Sequence, residues 1–502
     1  MPQSIKNIVI VGGGTAGWMA AASLAKYAQG KNLSVCLIES SQIGTVGVGE
    51  ATIPNIVEFN RQLGIDEQEL IKATQATFKL GIQFENWQQQ GTQFFHPFAD
   101  FGLTIDNVEF HQYINRLVAN GAQYKLEDYS FACVMAKKGK FAQPHPNPPS
   151  PLADYSYAYH FDASLYAKYL NKFSVNLGVV HIDAKIEQVN LQSCNGFIKS
   201  VSLQDGREIS GDLFIDCSGF QGLLIEQALH TGYEDWSKWL FCDSAYALQT
   251  ERTGEINPFT RSIAREAGWQ WAIPLQHRMG NGYIYSSQFQ DDADAKNTLL
   301  ANVTGKPLNE PRKLSFTPGR RKQIWNKNCF AIGLASGFLE PLESTSISLV
   351  QTAIAKLLSF FPDTEFNPAD IAEVNRLHNR EMENIRDFLI LHYKLSQRSD
   401  SEFWRQCQAM EIPDALAHKM ALYESRGHIV LLDNESFQSA SWLAMYNGFN
   451  FKARRYDPRA DVVTLAVLEQ KLAQMRNNLD GIASQSLSHQ QFITMHCQAE
   501  PL

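Results

Sequence analysis

Residues 5–11, IKNIVIV, are apolar and β-branched up to a glycine turn, a pattern that predicts a buried strand. From Thr15 to about Lys26 the chain carries Ala, Met and Leu and reads as a helix; Leu33 to Ile38 read as a second strand ending at Glu39. Together they predict a β-α-β unit, whose parallel strands need the helix as their crossover. Residues 56–76 read as helical. Apolar and polar positions alternate over 77–87, TFKLGIQFENW, as along a strand. That alternation puts Phe78, Leu80, Ile82 and Phe84 on one face and Lys79, Gly81 and Gln83 on the other. The Pro/Ser/Asn-rich stretch at 140–155 predicts a long surface loop or lid. Strand patterns return over 178–216, and 350–425 is strongly helical by pattern. The polar tail beyond about 480 is expected to be mobile.

Charge and composition narrow the class. Across 502 residues, 44 Lys+Arg against 52 Asp+Glu leave a formal net charge of −8. A broad nucleic-acid or anionic-membrane footprint needs clustered positive charge, so neither partner is expected. Apolar residues make no uninterrupted run of 18, and the chain enters its first strand without a signal-peptide pattern, so a soluble cytoplasmic protein is expected. Eight cysteines are scattered with no CxxC pair, and no His/Cys cluster has metal-ligand spacing. Free thiols and no metal site are the expectation.

The first candidate chemistry is Gly12-Gly13-Gly14-Thr15-Ala16-Gly17, directly after a strand and opening a helix. Gly12 permits the tight turn, Gly14 lets a pyrophosphate approach the backbone, and Gly17 lets helix and strand pack closely. The helix start then offers free N–H groups and partial positive charge to phosphates. Glu39 is spaced to accept hydrogen bonds from a ribose. A bare glycine turn is the alternative, and the strand, helix and acid around it favour a dinucleotide. No second glycine-rich fingerprint follows. Residues 212–220 and 330–335 instead look like the return strands of an FAD domain, although each alone is equally a core strand.

Four motifs carry a family resemblance: GGGTAGW at 12–18, GVGEATIP at 47–54, GWQWAIP at 268–274 as W-x-W-x-I-P, and EPLEST at 340–345. On these the chain resembles a flavin-dependent halogenase of the tryptophan-halogenase-like group. The resemblance implies an α/β fold: an FAD-binding Rossmann-like core of the flavin monooxygenase type with a mostly helical C-terminal substrate region. The core is expected over 1–350, discontinuous and including substrate-side β elements at about 77–175, and the helical region over 351–502. Flavin-binding positions implied are Gly12, Gly14, Thr15, Ala16, Gly17, Glu39, Gly49, Glu50, Ala51, Gly333 and Leu334. The cofactor is FAD as FADH2, delivered by diffusion from a separate flavin reductase, and the co-substrates are O2 and chloride or bromide.

The resemblance further implies that a flavin hydroperoxide oxidises halide to hypohalous acid, which travels an internal tunnel to Lys79 beside an aromatic substrate. Lys79 then either hydrogen-bonds the acid or becomes an N-haloamine. Glu343 falls on the family's carboxylate, which could stabilise the arenium, take its proton or orient the oxidant; Ser344 assists through its backbone. Thr345 and Ser346 fall on the halide-binding backbone positions. Ser346 replaces a common glycine, at a cost if φ is positive there, and bromide preference is expected. Trp269 and Trp271, with Ile82 and Pro341, fall on the wall between flavin and substrate. Taken singly, Lys79 reads first as a solvated lysine and the tryptophans as two aromatics on one strand face, and a capping glutamate is the alternative for Glu343.

Phe95, His96, Phe98 and Phe101 add aromatic surface, and 437–443 lacks the aromatic insertion with a tyrosine pair found where free tryptophan is bound. An electron-rich arene such as indole, phenol or pyrrole is therefore expected. Two other readings stand beside the halogenase: an aromatic hydroxylase using the same flavin oxidant, and a flavin-binding protein without turnover. A monomer or homodimer is expected.

Overall fold

The strands Asn7–Val11 and Ser34–Glu39 pair in parallel and are joined by the helix Thr15–Ala28, as the apolar pattern predicts. The computed structural model describes residues 3–43 and 49–501. It divides into two compact units, each assembled from three stretches of chain. The first comprises Met1–Ala76, Phe161–Lys238 and Ser315–Met382; the second comprises Thr77–His160, Trp239–Leu314 and Glu383–Leu502.

In the first unit a six-stranded sheet runs in the order 325–326, 329–331, 213–216, 7–11, 34–39, 180–183. Apart from the edge pairing of Trp325–Asn326 with Cys329–Ala331, its strands are parallel. Both predicted return passes land here: Leu213–Asp216 lies beside Asn7–Val11, and Cys329–Ala331 lies beside Leu213–Asp216. Helices Thr15–Ala28, Ala163–Asn176 and Ser346–Ser359 cover this region, the first packing against the other two.

In the second unit the main sheet has seven strands, in the order 312–315, 244–250, 279–285, 268–274, 260–265, 81–85, 93–97. Thr260–Arg265 pairs in parallel with Gly81–Glu85, while the pairings 244–250 with 279–285, 279–285 with 268–274, 268–274 with 260–265 and 81–85 with 93–97 are antiparallel. A separate antiparallel pair joins Thr77–Lys79 to Ala158–Asp162. The helix Ser439–Gly448 packs on Gln93–Pro97.

Several expectations need correction. The units do not part near residue 350: 351–382 complete the first, while 77–160 and 239–314 join 383–502 in the second. Strand pairing between distant segments causes this. The helical stretch over 56–76 is divided into Asn55–Leu63 and Glu67–Ala73, because Gly64 ends the first at φ +81° and Asp66 caps the second. Alternation over 77–87 is broken at Leu80, whose N–H donates to the Pro258 carbonyl (2.8 Å), so Thr77–Lys79 and Gly81–Glu85 serve different sheets. The 140–155 stretch is anchored: buried Phe141 stacks on Phe78 with centroids 4.2 Å apart. The tail beyond 480 is likewise ordered into the end of the helix Leu465–Gln485 and the helix His489–His496.

Candidate functional site

In the first unit the glycine loop is built for close approach. Gly12 sits at φ +108°, and a Cβ there would lie 2.2 Å from the Cys217 carbonyl oxygen. A Cβ on Gly17 would lie 1.9 Å from the Gly12 carbonyl oxygen, so helix and turn touch at that residue. Gly14 differs, because a Cβ on it meets nothing within 4 Å. Gly14 is the N-cap of Thr15–Ala28 with no side-chain capping bond, and no acid sits in the helix's first turn. An anion can therefore meet free N–H groups here. Gly333 (φ +71°) opens the turn that carries Leu334, and its Cβ would lie 2.8 Å from Ala16 Cβ. The second return strand thus ends against the start of the same helix.

Glu39 ends its strand beside the loop, since a Cβ on Gly13 would collide with its Oε2. Its Oε1 pairs with His181 Nε2 at 2.8 Å. Burial pushes the Glu39 carboxyl above its usual range, opposed by His181. Gly49, Glu50 and Ala51 form a short strand; burial pushes the Glu50 carboxyl up to about 7 although its surface is only partly covered. Residues 47 and 48 of the GVGEATIP motif lie outside the described residues.

Glu343 is buried at the end of the 3-10 turn Pro341–Glu343, ahead of the long helix and outside its first turn. Ser344 is left-handed at φ +60°, and its N–H donates to the Pro341 carbonyl. Ser346 begins the helix at an ordinary φ, so the strain expected there falls on Ser344 instead. Thr345 is the helix N-cap without a side-chain capping bond, and its buried Oγ1 has no hydrogen-bond partner among the described residues.

Lys79 belongs to the second unit and is fully buried, unlike the great majority of lysines. Its Nζ lies 5.2 Å from the Phe98 ring centroid. Two residues earlier, Thr77 Oγ1 donates to the Pro274 carbonyl at 2.7 Å, tying the lysine strand to the end of the tryptophan motif. Thr77 Oγ1 is also 3.0 Å from His160 Nδ1, and His160 Nε2 is 2.9 Å from Thr260 Oγ1. Trp269 and Trp271 are buried on the strand Gly268–Pro274 with ring centroids 6.1 Å apart. Ile82, also buried, pairs with His96 on one side and Thr260 on the other.

A family profile described as tryptophan halogenase matches residues 7–464. The chain belongs to that family. It is 38% identical to the 7-chloro-L-tryptophan 6-halogenase KtzR of Kutzneria sp. (strain 744), over 84% of this chain and 85% of that protein. Among solved structures it is similar to BrvH, a flavin-dependent halogenase from Brevundimonas sp. BAL3, with 47% identity, TM-score 0.95, and coverage of 98% of this chain and 99% of that one. A flavin-dependent halogenase from Xanthomonas campestris matches at 45% identity and TM-score 0.96, covering 100% of both chains.

This halogenase is thus a flavin-dependent enzyme of aromatic halogenation with the mixed α/β fold its motifs imply. Its residues fit a flavin dinucleotide: space over Gly14 is open, the helix start there is uncapped, and half-buried Glu39 lies beside the loop. The halogenase brings together Gly12–Gly17, Glu39 and Gly333 in one unit, and Lys79, Ile82 and the tryptophan strand in the other. Glu343 falls in the first unit. Reading the sequence missed His181, His160 and His489, whose partners are far away in the chain. The HFD run at 160–162, a histidine within a strand and two residues before a helix-capping aspartate, was the local signal for His160.

Proposed function

We propose that this halogenase transfers halogen to an electron-rich, indole-like arene, with Lys79 as the residue that delivers it. The observation supporting this is the complete burial of Lys79 on a strand bonded to the W-x-W-x-I-P carbonyl. Reduced FAD from a separate reductase, when bound, supplies with O2 the two-electron oxidant that turns halide into hypohalous acid. The Phe98 face 5.2 Å from Nζ suits an ammonium, so Lys79 acts by donating a hydrogen bond to hypohalous acid and polarising its halogen. Halogen then replaces an aromatic hydrogen; the acid's hydroxyl leaves as water with a proton from Lys79, and the arene's proton, once released, makes up that loss. Glu343, a buried carboxylate in the family's position, is the proposed proton acceptor. Trp269 and Trp271 keep the arene from the flavin.

Halide binding is assigned to the N–H groups of Thr345 and Ser346, at the start of a 14-residue helix with no acid in its first turn. Backbone N–H groups are neutral donors and offset dehydration only in part, so bromide, the more weakly hydrated ion, is taken ahead of chloride. The substrate reading rests on the C-terminal segment. Phe437 stacks on Phe388 with centroids 3.9 Å apart, and Trp442 Nε1 donates to Glu435, which is already paired with buried Lys419. The charge of Glu435 is thus answered within the protein, and the apolar Phe437–Phe388 stack beside it suits a neutral arene. Mass spectrometry of indole incubated with FAD, a reductase system and bromide tests the reading: bromoindole forms, and Lys79→Ala abolishes it while flavin reoxidation continues. Bromoindole from Lys79→Ala removes the lysine from the mechanism, and hydroxyindole formed without halide assigns a hydroxylase instead.

A further inference from the structure

The strand Thr77–Lys79 lies at the edge of its sheet, paired with Ala158–His160 on one side. On an exposed strand edge every second N–H would lack a partner. Here the Leu80 N–H is taken by the Pro258 carbonyl, and the Phe78 N–H by His489 Nε2 at 3.1 Å. Because Nε2 accepts, the His489 proton is on Nδ1, which donates to the Ile256 carbonyl at 3.0 Å. One imidazole thus stands in for a neighbouring strand, meeting one backbone donor and one backbone acceptor.

His489 opens the last helix, His489–His496, which is fixed at both ends. At its start Ser488 and Gln491 form a capping box, and the His489 N–H donates to the Gly139 carbonyl. Beyond its end Gln276 Nε2 donates to the Cys497 carbonyl and Gln276 Oε1 accepts from the Ala499 N–H. The other side of the lysine strand is held by His160. Thr77 gives its hydroxyl proton to Pro274, so His160 Nδ1–H donates to Thr77 Oγ1 and Nε2 accepts from Thr260. Burial keeps both rings neutral, pushing His489 down to about 4 and His160 well below its usual range, the latter aided by the charge of Lys79. The mount therefore adds no second cation beside the lysine.

We propose that His489, together with His160, is a positioning residue for halogen transfer: the C-terminal helix is part of the support that aims Lys79. The proposal rests on the reading of Lys79 as the delivering residue. A reacting group displaced by about 1 Å loses on the order of a hundredfold in rate, so a loosened strand uncouples oxidant formation from halogenation.

The test compares His489→Phe, which keeps a ring but loses both bonds, with His489→Gln, whose carbonyl oxygen can take the Phe78 N–H. Bromoindole formed per FADH2 oxidised is measured alongside hypobromous acid caught by a chemical trap. His489→Phe is expected to lower the product ratio by about tenfold or more, with flavin oxidation and KM for indole unchanged and trapped acid increased; His489→Gln recovers most of the ratio. A wild-type ratio in folded His489→Phe, or no recovery in His489→Gln, overturns the proposal. Should His489→Phe not fold, Thr260→Val, which removes the donor to His160, is read the same way. Lys79→Ala separates the two readings: if it still halogenates, lysine delivery fails; if it is dead while His489→Phe stays coupled, only the positioning role fails.

Discussion

Trp271 and Gly282 face each other directly across the strands Gly268–Pro274 and Met279–Tyr285, and Gly282→Ala tests whether the indole is locked in place. A Cβ on Gly282 would lie 2.0 Å from both Trp271 Cη2 and Cζ2 and 2.6 Å from Cε2, where ordinary contact is 3.4–4 Å. Gly282 does not have positive φ, so alanine brings no backbone strain and the whole penalty passes through the indole. Overpacking in a rigid core costs about 1–3 kcal/mol. Alanine in a strand interior returns about 0.5–1 kcal/mol of backbone entropy. The difference is a net loss of roughly 1–2 kcal/mol, five- to thirtyfold in the folding equilibrium. A double-mutant cycle isolates the cause. Trp271→Phe removes the outer indole carbons, and in that background Gly282→Ala is expected to be neutral or stabilising by up to ~1 kcal/mol. Urea unfolding of the four proteins at one fixed FAD concentration reads the cycle. Equal destabilisation by Gly282→Ala in both backgrounds would refute the reasoning, because the cost would then lie outside the indole.

Three further outcomes are expected. Gly14→Ala should fold with wild-type stability yet bind FAD at least about tenfold more weakly, since its methyl enters open space where a pyrophosphate must approach, whereas Gly17→Ala, 1.9 Å from the Gly12 carbonyl oxygen, should lower the melting temperature as well; FAD titration and thermal unfolding separate the two. His489 titrates near 4 in the folded chain against an ordinary 6.5, so the unfolded chain binds more protons between those values and stability falls as pH drops. From pH 6.5 to 5 this one group contributes about 1.5 kcal/mol of loss, and His489→Phe should show a correspondingly shallower pH dependence of unfolding; identical slopes would contradict the assignment. With equal bromide and chloride, bromoindole should exceed chloroindole, and a chloride excess measured by mass spectrometry ends the bromide reading.

The glycine loop was legible because everything it needs is local: a strand, a turn at Gly12, an uncapped helix start and an acid one strand later. Lys79 illustrates the opposite. Two-residue alternation separates one strand face from the other, but it cannot report that both are covered, and here Lys79 is buried on the face that the pattern leaves for solvent. Nor does it show that Leu80 hands the chain from one sheet to another, since that change depends on Pro258 and on the 158–160 strand. The tail carries the same lesson further. Its polar composition suggested mobility, yet one polar side chain in it, His489, answers a backbone N–H that lies 411 residues away. A polar residue met alone in sequence predicts solvent; met at the open edge of a buried strand, it is a substitute for the missing strand. Composition registers only the first of these, so Lys79 is picked out by a motif while the bonds that hold its strand become visible only when each buried donor's partner is followed through the fold.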